Sequence, residues 1–167
     1  ADQHVFEFSP HTDDYLFIGN DGGVYKMWVG GGNHNVTTIS DGLMISEVYR
    51  LGTSATNPDL MICGMQDCGS YISSSTPWIH RVGGDGMNCE IDYSNPSIMY
   101  ASSQNGNISR SMDGGNSFHG IAADGVNGID QSGDWLSAFV LDQFNANIMF
   151  AGFKDVWRST NVNTTNP

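Results

Sequence analysis

Aspartate recurs in this chain where glycine does. Asp2 precedes the first apolar run, Asp21 lies in Asn20-Asp-Gly-Gly23, Asp67 in Gln66-Asp-Cys-Gly69, Asp85 in Gly83-Gly-Asp-Gly86, and Asp134 adjoins Trp135. Carboxylates on Gly-rich loops, with amide side chains and backbone carbonyls beside them, could coordinate Ca²⁺, whose roughly six to eight oxygen ligands suit irregular loops. Asp2, Asp21, Asp67 and Asp85 are the metal candidates. Asp2, Asp67 and Asp85 are also candidate catalytic carboxylates, because a glycosidase needs two such groups roughly 5 to 9.5 Å apart across the scissile bond. The competing role is structural, since loop aspartates cap turns by accepting backbone N–H bonds. His4, Glu47, Asp134 and Trp135 complete the candidates for a ligand-binding face. No EF-hand loop, G-x-S-x-G elbow, phosphate-binding Gly-Lys loop or HExxH run is present.

The overall charge narrows the partners. Eighteen Asp and Glu face six Lys and Arg in 167 residues, a formal net charge of −12. That balance disfavours nucleic acid phosphates and anionic lipid. Apolar runs such as 148–151 fall far short of the roughly 20 residues a membrane-spanning helix needs, so membrane insertion is not expected. Three cysteines, Cys63, Cys68 and Cys89, leave at least one unpaired, and no CxxC pair suggests zinc.

The elements that would position these residues repeat. His11-Thr-Asp-Asp-Tyr-Leu-Phe-Ile-Gly19, Asn57-Pro-Asp-Leu-Met-Ile-Cys-Gly64, Asn95-Pro-Ser-Ile-Met-Tyr-Ala-Ser102 and Asn145-Ala-Asn-Ile-Met-Phe-Ala-Gly152 share a turn, a short apolar strand and a small residue. Their closing residues are 45, 38 and 50 apart, the period of a four-stranded propeller blade, roughly 40 to 50 residues. Each unit has an apolar strand about ten residues before that anchor and a Gly/Asn/Asp hairpin turn after it. A third strand follows the turn. The first three units close on a fourth strand, which the last unit lacks. The expected architecture is an all-β propeller of about four blades of four-stranded antiparallel sheet, approximately residues 1–40, 41–83, 84–122 and 123–167, forming an arc of a larger ring. In such a blade the entry to the first strand and the turn joining the second and third share one face. That face gathers Asp2, Glu47, Asp85 and Asp134 with the turn aspartates Asp21, Asp67 and Asp155. Cys68 and Cys89 fall on it too, which makes a bridge between them geometrically open.

Ser111-Met-Asp-Gly-Gly-Asn-Ser-Phe118 matches the Asp-box pattern S-x-D-x-G-x-x-[W/F] at Ser111, Asp113, Gly115 and Phe118, with degenerate copies at Tyr25-Lys-Met-Trp-Val-Gly-Gly-Gly32 and Arg158-Ser-Thr-Asn161. With these motifs the chain resembles sortilin-like, BNR-repeat β-propellers, and most of all those in large secreted proteins of the Bacteroidota that use the type IX route. The resemblance implies an extracellular or outer-surface location and a context that permits disulfides. The box residues read as fold hardware, and Arg110 and Arg158 as partners of blade-edge carboxylates. The resulting expectation is a non-catalytic segment serving as scaffold or as a recognition module for protein, glycan or other domains of the same polypeptide. The alternative is a sialidase-like or xyloglucanase-like glycoside hydrolase. Against the sialidase form, Arg110 and Arg158 occupy hairpin positions remote from the acidic face, leaving no arginine cluster.

Overall fold

The computed structural model of the chain describes residues 2–43, 46–75 and 77–164. These divide into two compact units, Ala1–Ser46 and Glu47–Pro167.

The first unit is one four-stranded antiparallel meander: β1 (Gln3–Phe8), β2 (Tyr15–Asn20), β3 (Gly23–Trp28) and β4 (Val36–Thr38), in that spatial order. The second unit holds three further meanders. These are β5 (Val48–Thr53), β6 (Met61–Met65), β7 (Gly69–Ser73) and β8 (Ile79–Val82); then β9 (Cys89–Ile91), β10 (Met99–Ser103), β11 (Asn107–Ser111) and β12 (His119–Ala122); then the three-stranded set β13 (Phe139–Leu141), β14 (Met149–Gly152) and β15 (Val156–Ser159). Among the described residues the one non-strand element is a 3₁₀ turn, Gln104–Gly106. The strand pattern read from the sequence is therefore present, including the short last unit. We call the four sheets blades 1 to 4.

Local chemistry makes each meander. The β6–β7 and β10–β11 connections are three-residue loops, and Asp67 and Asn105 take left-handed backbone in them at φ 56° and 63°. Asp and Asn are the non-glycine residues that tolerate this region best. At the end of each first strand a side-chain oxygen caps the next turn. Ser54 accepts from the Asn57 amide, Asp92 from Ser94 and Asn95, and Asp142 from Phe144 and Asn145. In the first unit Ser9 does the same for the His11 amide.

Register sorts each blade's residues into two faces, because successive side chains alternate. In the second unit, Ile62 and Ile72 of blade 2 meet Cys89, Ile91, Met99 and Ala101 of blade 3 in one apolar cluster. Ile98, Tyr100, Ile108 and Ile121 of blade 3 meet Phe139, Leu141, Met149 and Ala151 of blade 4 in another. Strand β10 is buried on both faces, which explains why its sequence, Met-Tyr-Ala-Ser-Ser, does not alternate. Glycine sets the closeness of blades 2 and 3. A Cβ on Gly64 would lie 2.2 Å from the Met87 carbonyl oxygen, and one on Gly52 would lie 2.9 Å from that of Cys89.

Candidate functional site: the acidic blade-entry loops

Asp2 precedes β1 and Asp21 lies in the β2–β3 turn of the first unit, while in the second unit Asp67 lies in the β6–β7 turn and Asp85 precedes β9. In the first unit Asp21 accepts the Asp2 amide at 2.8 Å and also bonds the His4 ring. His4 gets there because the β1–β2 register slips between Gln3 and Val5, a bulge that re-aims the intervening side chain. The His4 hydrogen bond, followed by that from Asp2, holds the Asp21 carboxyl below the usual carboxylate range.

In the second unit the same device recurs with different residues. The β5–β6 register slips between Val48 and Arg50, and Tyr49 donates its hydroxyl to Gln66 in the hairpin turn at 2.8 Å. Glu47 contributes its backbone carbonyl to the Gln66 amide. Asp85, which is buried, takes the Asp67 amide on one oxygen at 2.7 Å and the Gln104 side chain on the other. Its loop thereby ties the hairpin of blade 2 to that of blade 3. The next loop repeats the tie, with the Gly133 amide donating to the Asn105 carbonyl while Gln131 and Asp155 exchange two hydrogen bonds of 2.6 and 3.1 Å. Asp134 caps its own neighbour by accepting the Trp135 amide, which leaves the Trp135 side chain half exposed.

Among the described residues no group of three or more His, Cys, Asp or Glu is placed to hold a metal ion. The Asp21 oxygens are engaged by the Asp2 amide and the His4 ring, and those of Asp85 by the Asp67 amide and the Gln104 side chain of two hairpin turns. One expectation is corrected here. Cys68 is not joined to Cys89: all three thiols are free. The Cys89 side chain turns into the seam between blades 2 and 3 and donates to Ser70 Oγ, and burial pushes its thiol up to about 12. Cys68 stays in the hairpin turn, half exposed.

The 111–118 turn behaves as fold hardware. Ser111 Oγ accepts the buried Gly115 amide at 2.8 Å and donates to Asp113, which also takes the Ser117 amide and hydroxyl. Those Ser117 bonds, then the Ser111 hydroxyl, lower the Asp113 carboxyl. Phe118 packs against the cluster between blades 2 and 3. Ser159 and Asn161 keep a reduced version of the same exchange in blade 4. Arg110 departs from expectation. It is buried and donates to the Val162 carbonyl of the adjoining blade at 2.6 Å, and among the described residues no carboxylate forms an ion pair with it.

One feature of the first unit lay outside the sequence reading. Tyr15, Lys26, Trp28, Asn35, Thr37 and Ile39 line an open groove of about 570 Å³, with Lys26 Nζ 3.8 Å above the Tyr15 ring. Strand alternation puts the β2 and β3 members on one face, and the twofold pattern Tyr15, Phe17 against Lys26, Trp28 was the available signal.

The sequence matches no family model and no curated protein. Solved structures give the class. Over 96% of its length the chain is similar to an ancestral GH74 enzyme, at TM-score 0.58 and 20% identity, covering 23% of that chain. It is similar to the GH74 enzyme of Niastella koreensis over 97% of its length, at 0.56 and 14%, covering 29% of that chain. A GH74 xyloglucanase from Xanthomonas campestris matches over 92%, at 0.54 and 14%, with 26% of that chain covered. The chain is a β-propeller segment, and it spans about a quarter of the length of these enzymes.

Proposed function

We propose that the chain is the glycan-recognition part of a larger extracellular propeller protein of the sortilin-like, Asp-box kind, without a catalytic pair of its own. The observation that carries this reading is the open groove of the first unit, where Tyr15 and Trp28 stand with Lys26, Asn35 and Thr37. Aromatic faces take the apolar faces of sugar rings, and flanking polar side chains take the hydroxyls. Trp135, 51% exposed beside Asp134, is a second such platform. Two further observations support the reading: the similar solved structures are GH74 enzymes, one of them a xyloglucanase, and the oxygens of Asp21 and Asp85 are already engaged, by the Asp2 amide and His4 ring and by the Asp67 amide and Gln104 side chain. The 111–118 turn supports the sortilin-like family, and with it an outer-surface location.

The likeness to GH74 enzymes also favours a second reading, in which Asp2, Asp67 or Asp85 takes part in glycoside hydrolysis. One experiment separates the two. The chain is titrated with a panel of polysaccharides that includes xyloglucan, and reducing-end release is followed in the same samples. Binding that is lost in Trp28→Ala or Trp135→Ala, without turnover, supports recognition. Turnover abolished by Asp85→Asn would establish the enzyme, and no binding to any member of the panel would remove the glycan reading.

A further inference from the structure

We propose that the seam between blades 3 and 4 holds a binding site for one ordered water molecule, ligated by Asp92, Tyr100 and Arg110, through which the Asp92 carboxylate balances the charge of Arg110. Register puts the three side chains on one face of blade 3. Tyr100 pairs with Glu90 of β9 and with Arg110 of β11, and the Asp92 amide bonds the Ile98 carbonyl, two residues before Tyr100. Side chains two apart on a strand share a face, and a diagonal neighbour is within reach of an aromatic or long side chain. That face meets Phe139 of blade 4, whose ring stands edge-on to Tyr100 with centroids 6.4 Å apart.

Asp92, Tyr100 and Arg110 are 1%, 0% and 5% exposed. Each nevertheless keeps one buried atom without a hydrogen-bond partner: Asp92 Oδ2, Tyr100 Oη and Arg110 Nε. Neighbouring atoms are committed, since Asp92 Oδ1 takes the Ser94 and Asn95 amides and Arg110 Nη1 donates to the Val162 carbonyl. The chemistry of the three free atoms selects the occupant. Arg110 Nε–H can only donate, the Asp92 carboxylate accepts, and the Tyr100 hydroxyl does both. Burial first and the Asp92 charge next raise the Tyr100 hydroxyl well above its usual range, so it keeps its proton. A cation would meet the guanidinium, an anion would meet the carboxylate, and an apolar molecule would leave all three atoms unmet. Water accepts from Arg110 Nε, donates to Asp92 Oδ2 and shares a hydrogen bond with Tyr100 Oη, about the three bonds usual for a buried water. Arg110 thereby gains a counter-charge at one remove, and the guanidinium that holds Val162 is fixed in place. The water is in effect part of the joint between blade 3 and the turn that follows β15.

The test reads the water directly and then its energetic consequence. In nuclear magnetic resonance spectra of the full chain, the Arg110 Nε–H and Tyr100 hydroxyl protons should both show cross-relaxation with a long-lived water, of the sign that marks a bound molecule. Tyr100→Phe should abolish the water contact at Arg110 Nε–H while the Val162 end of the guanidinium stays bonded, a change that loss of ring packing alone would not produce. Urea unfolding of Tyr100→Phe, Asp92→Asn and the double variant completes a cycle. Each single change should lower the folding equilibrium constant roughly tenfold or more, the loss expected when buried polar partners are left unmet. The double variant should lose far less than the product, because the first change already breaks the shared site. The water contacts of the unsubstituted chain decide the matter if the variants fold poorly. Absence of a long-lived water at either proton, a Tyr100 hydroxyl bonded directly to Asp92 with no water between, or single losses that multiply to within about twofold would each overturn the assignment.

Discussion

Two carboxylates in the second unit respond to pH with opposite sign. Asp113 is held below its ordinary value by the Ser117 and Ser111 hydrogen bonds. Its contribution is complete above the unfolded carboxylate pKa and is lost as pH falls toward the lowered folded value. Glu90 is raised, chiefly by burial against blade 4, and the Leu141 amide on its Oε2 offsets that only in part. A raised carboxyl costs stability as pH climbs from the unfolded value through the folded one. Glu90→Gln keeps an acceptor for Leu141 and removes the buried charge. It should raise the melting temperature at pH 7 and lose that advantage near pH 4, whereas Asp113→Asn should lower it at pH 7 and flatten the acid limb. Thermal melts across this range read both. Ser111, which does not titrate, is fully buried and accepts the Gly115 amide. Ser111→Ala leaves that buried N–H unpaired, a loss of about 1–3 kcal/mol measurable by urea unfolding. The serine and aspartate of this turn were legible because their spacing is itself the motif. The pairing of Asp85 with Asp67 and Gln104 was not, because no local pattern records which distant turn a loop will reach.

At the scale of elements the meander was readable strand by strand, since every connection carries its own turn residues and every central strand is a short apolar run. The bulges at His4 and Tyr49 left no trace in the sequence, because a register slip adds no special residue type. The loop before β13 was equally opaque. Its Gln131 to Asp155 clasp joins residues 24 apart through side chains that would be ordinary in any loop. The expected disulfide failed on a related point. Hairpin and strand positions can share a face while side chains point differently, and strand alternation sends Cys89 inward. Blade spacing is set at glycines whose backbone is otherwise unremarkable in conformation. Gly64→Ala would press a methyl into the Met87 carbonyl and the Gly86 backbone, atoms that cannot swing aside as a side chain would. We expect a loss of about 2–3 kcal/mol and a cooperative transition that still ends in the same unfolded baseline. Gly83→Ala, where nothing lies near the added atom, is the matched control and should be close to neutral.

For the molecule as a whole, the excess of carboxylates over cations governs the response to salt. With a net charge of −12 and six Lys and Arg, Asp85, Asp92, Asp142 and Asp155 are held by neutral N–H and O–H donors. Such bonds anchor each carboxylate without cancelling its repulsion of the others. Screening should therefore stabilise the fold at pH 7. Between about 10 mM and about 300 mM NaCl the Debye length contracts from about 30 Å to under about 8 Å, and the melting temperature should climb smoothly over that interval. Near pH 4.5, where part of the carboxylate charge is gone, the climb should shrink. Divalent ions give the sharper comparison. Because the Asp21 and Asp85 oxygens already hold protein donors and no group of three or more His, Cys, Asp or Glu is placed to hold a metal ion among the described residues, CaCl₂ at matched ionic strength should follow the same curve as NaCl. A saturable step at low calcium, reversed by a chelator and scaling with one ion per chain, would mean that the blade-entry loops release their turn partners to a metal, and the account of these carboxylates as turn caps would fail.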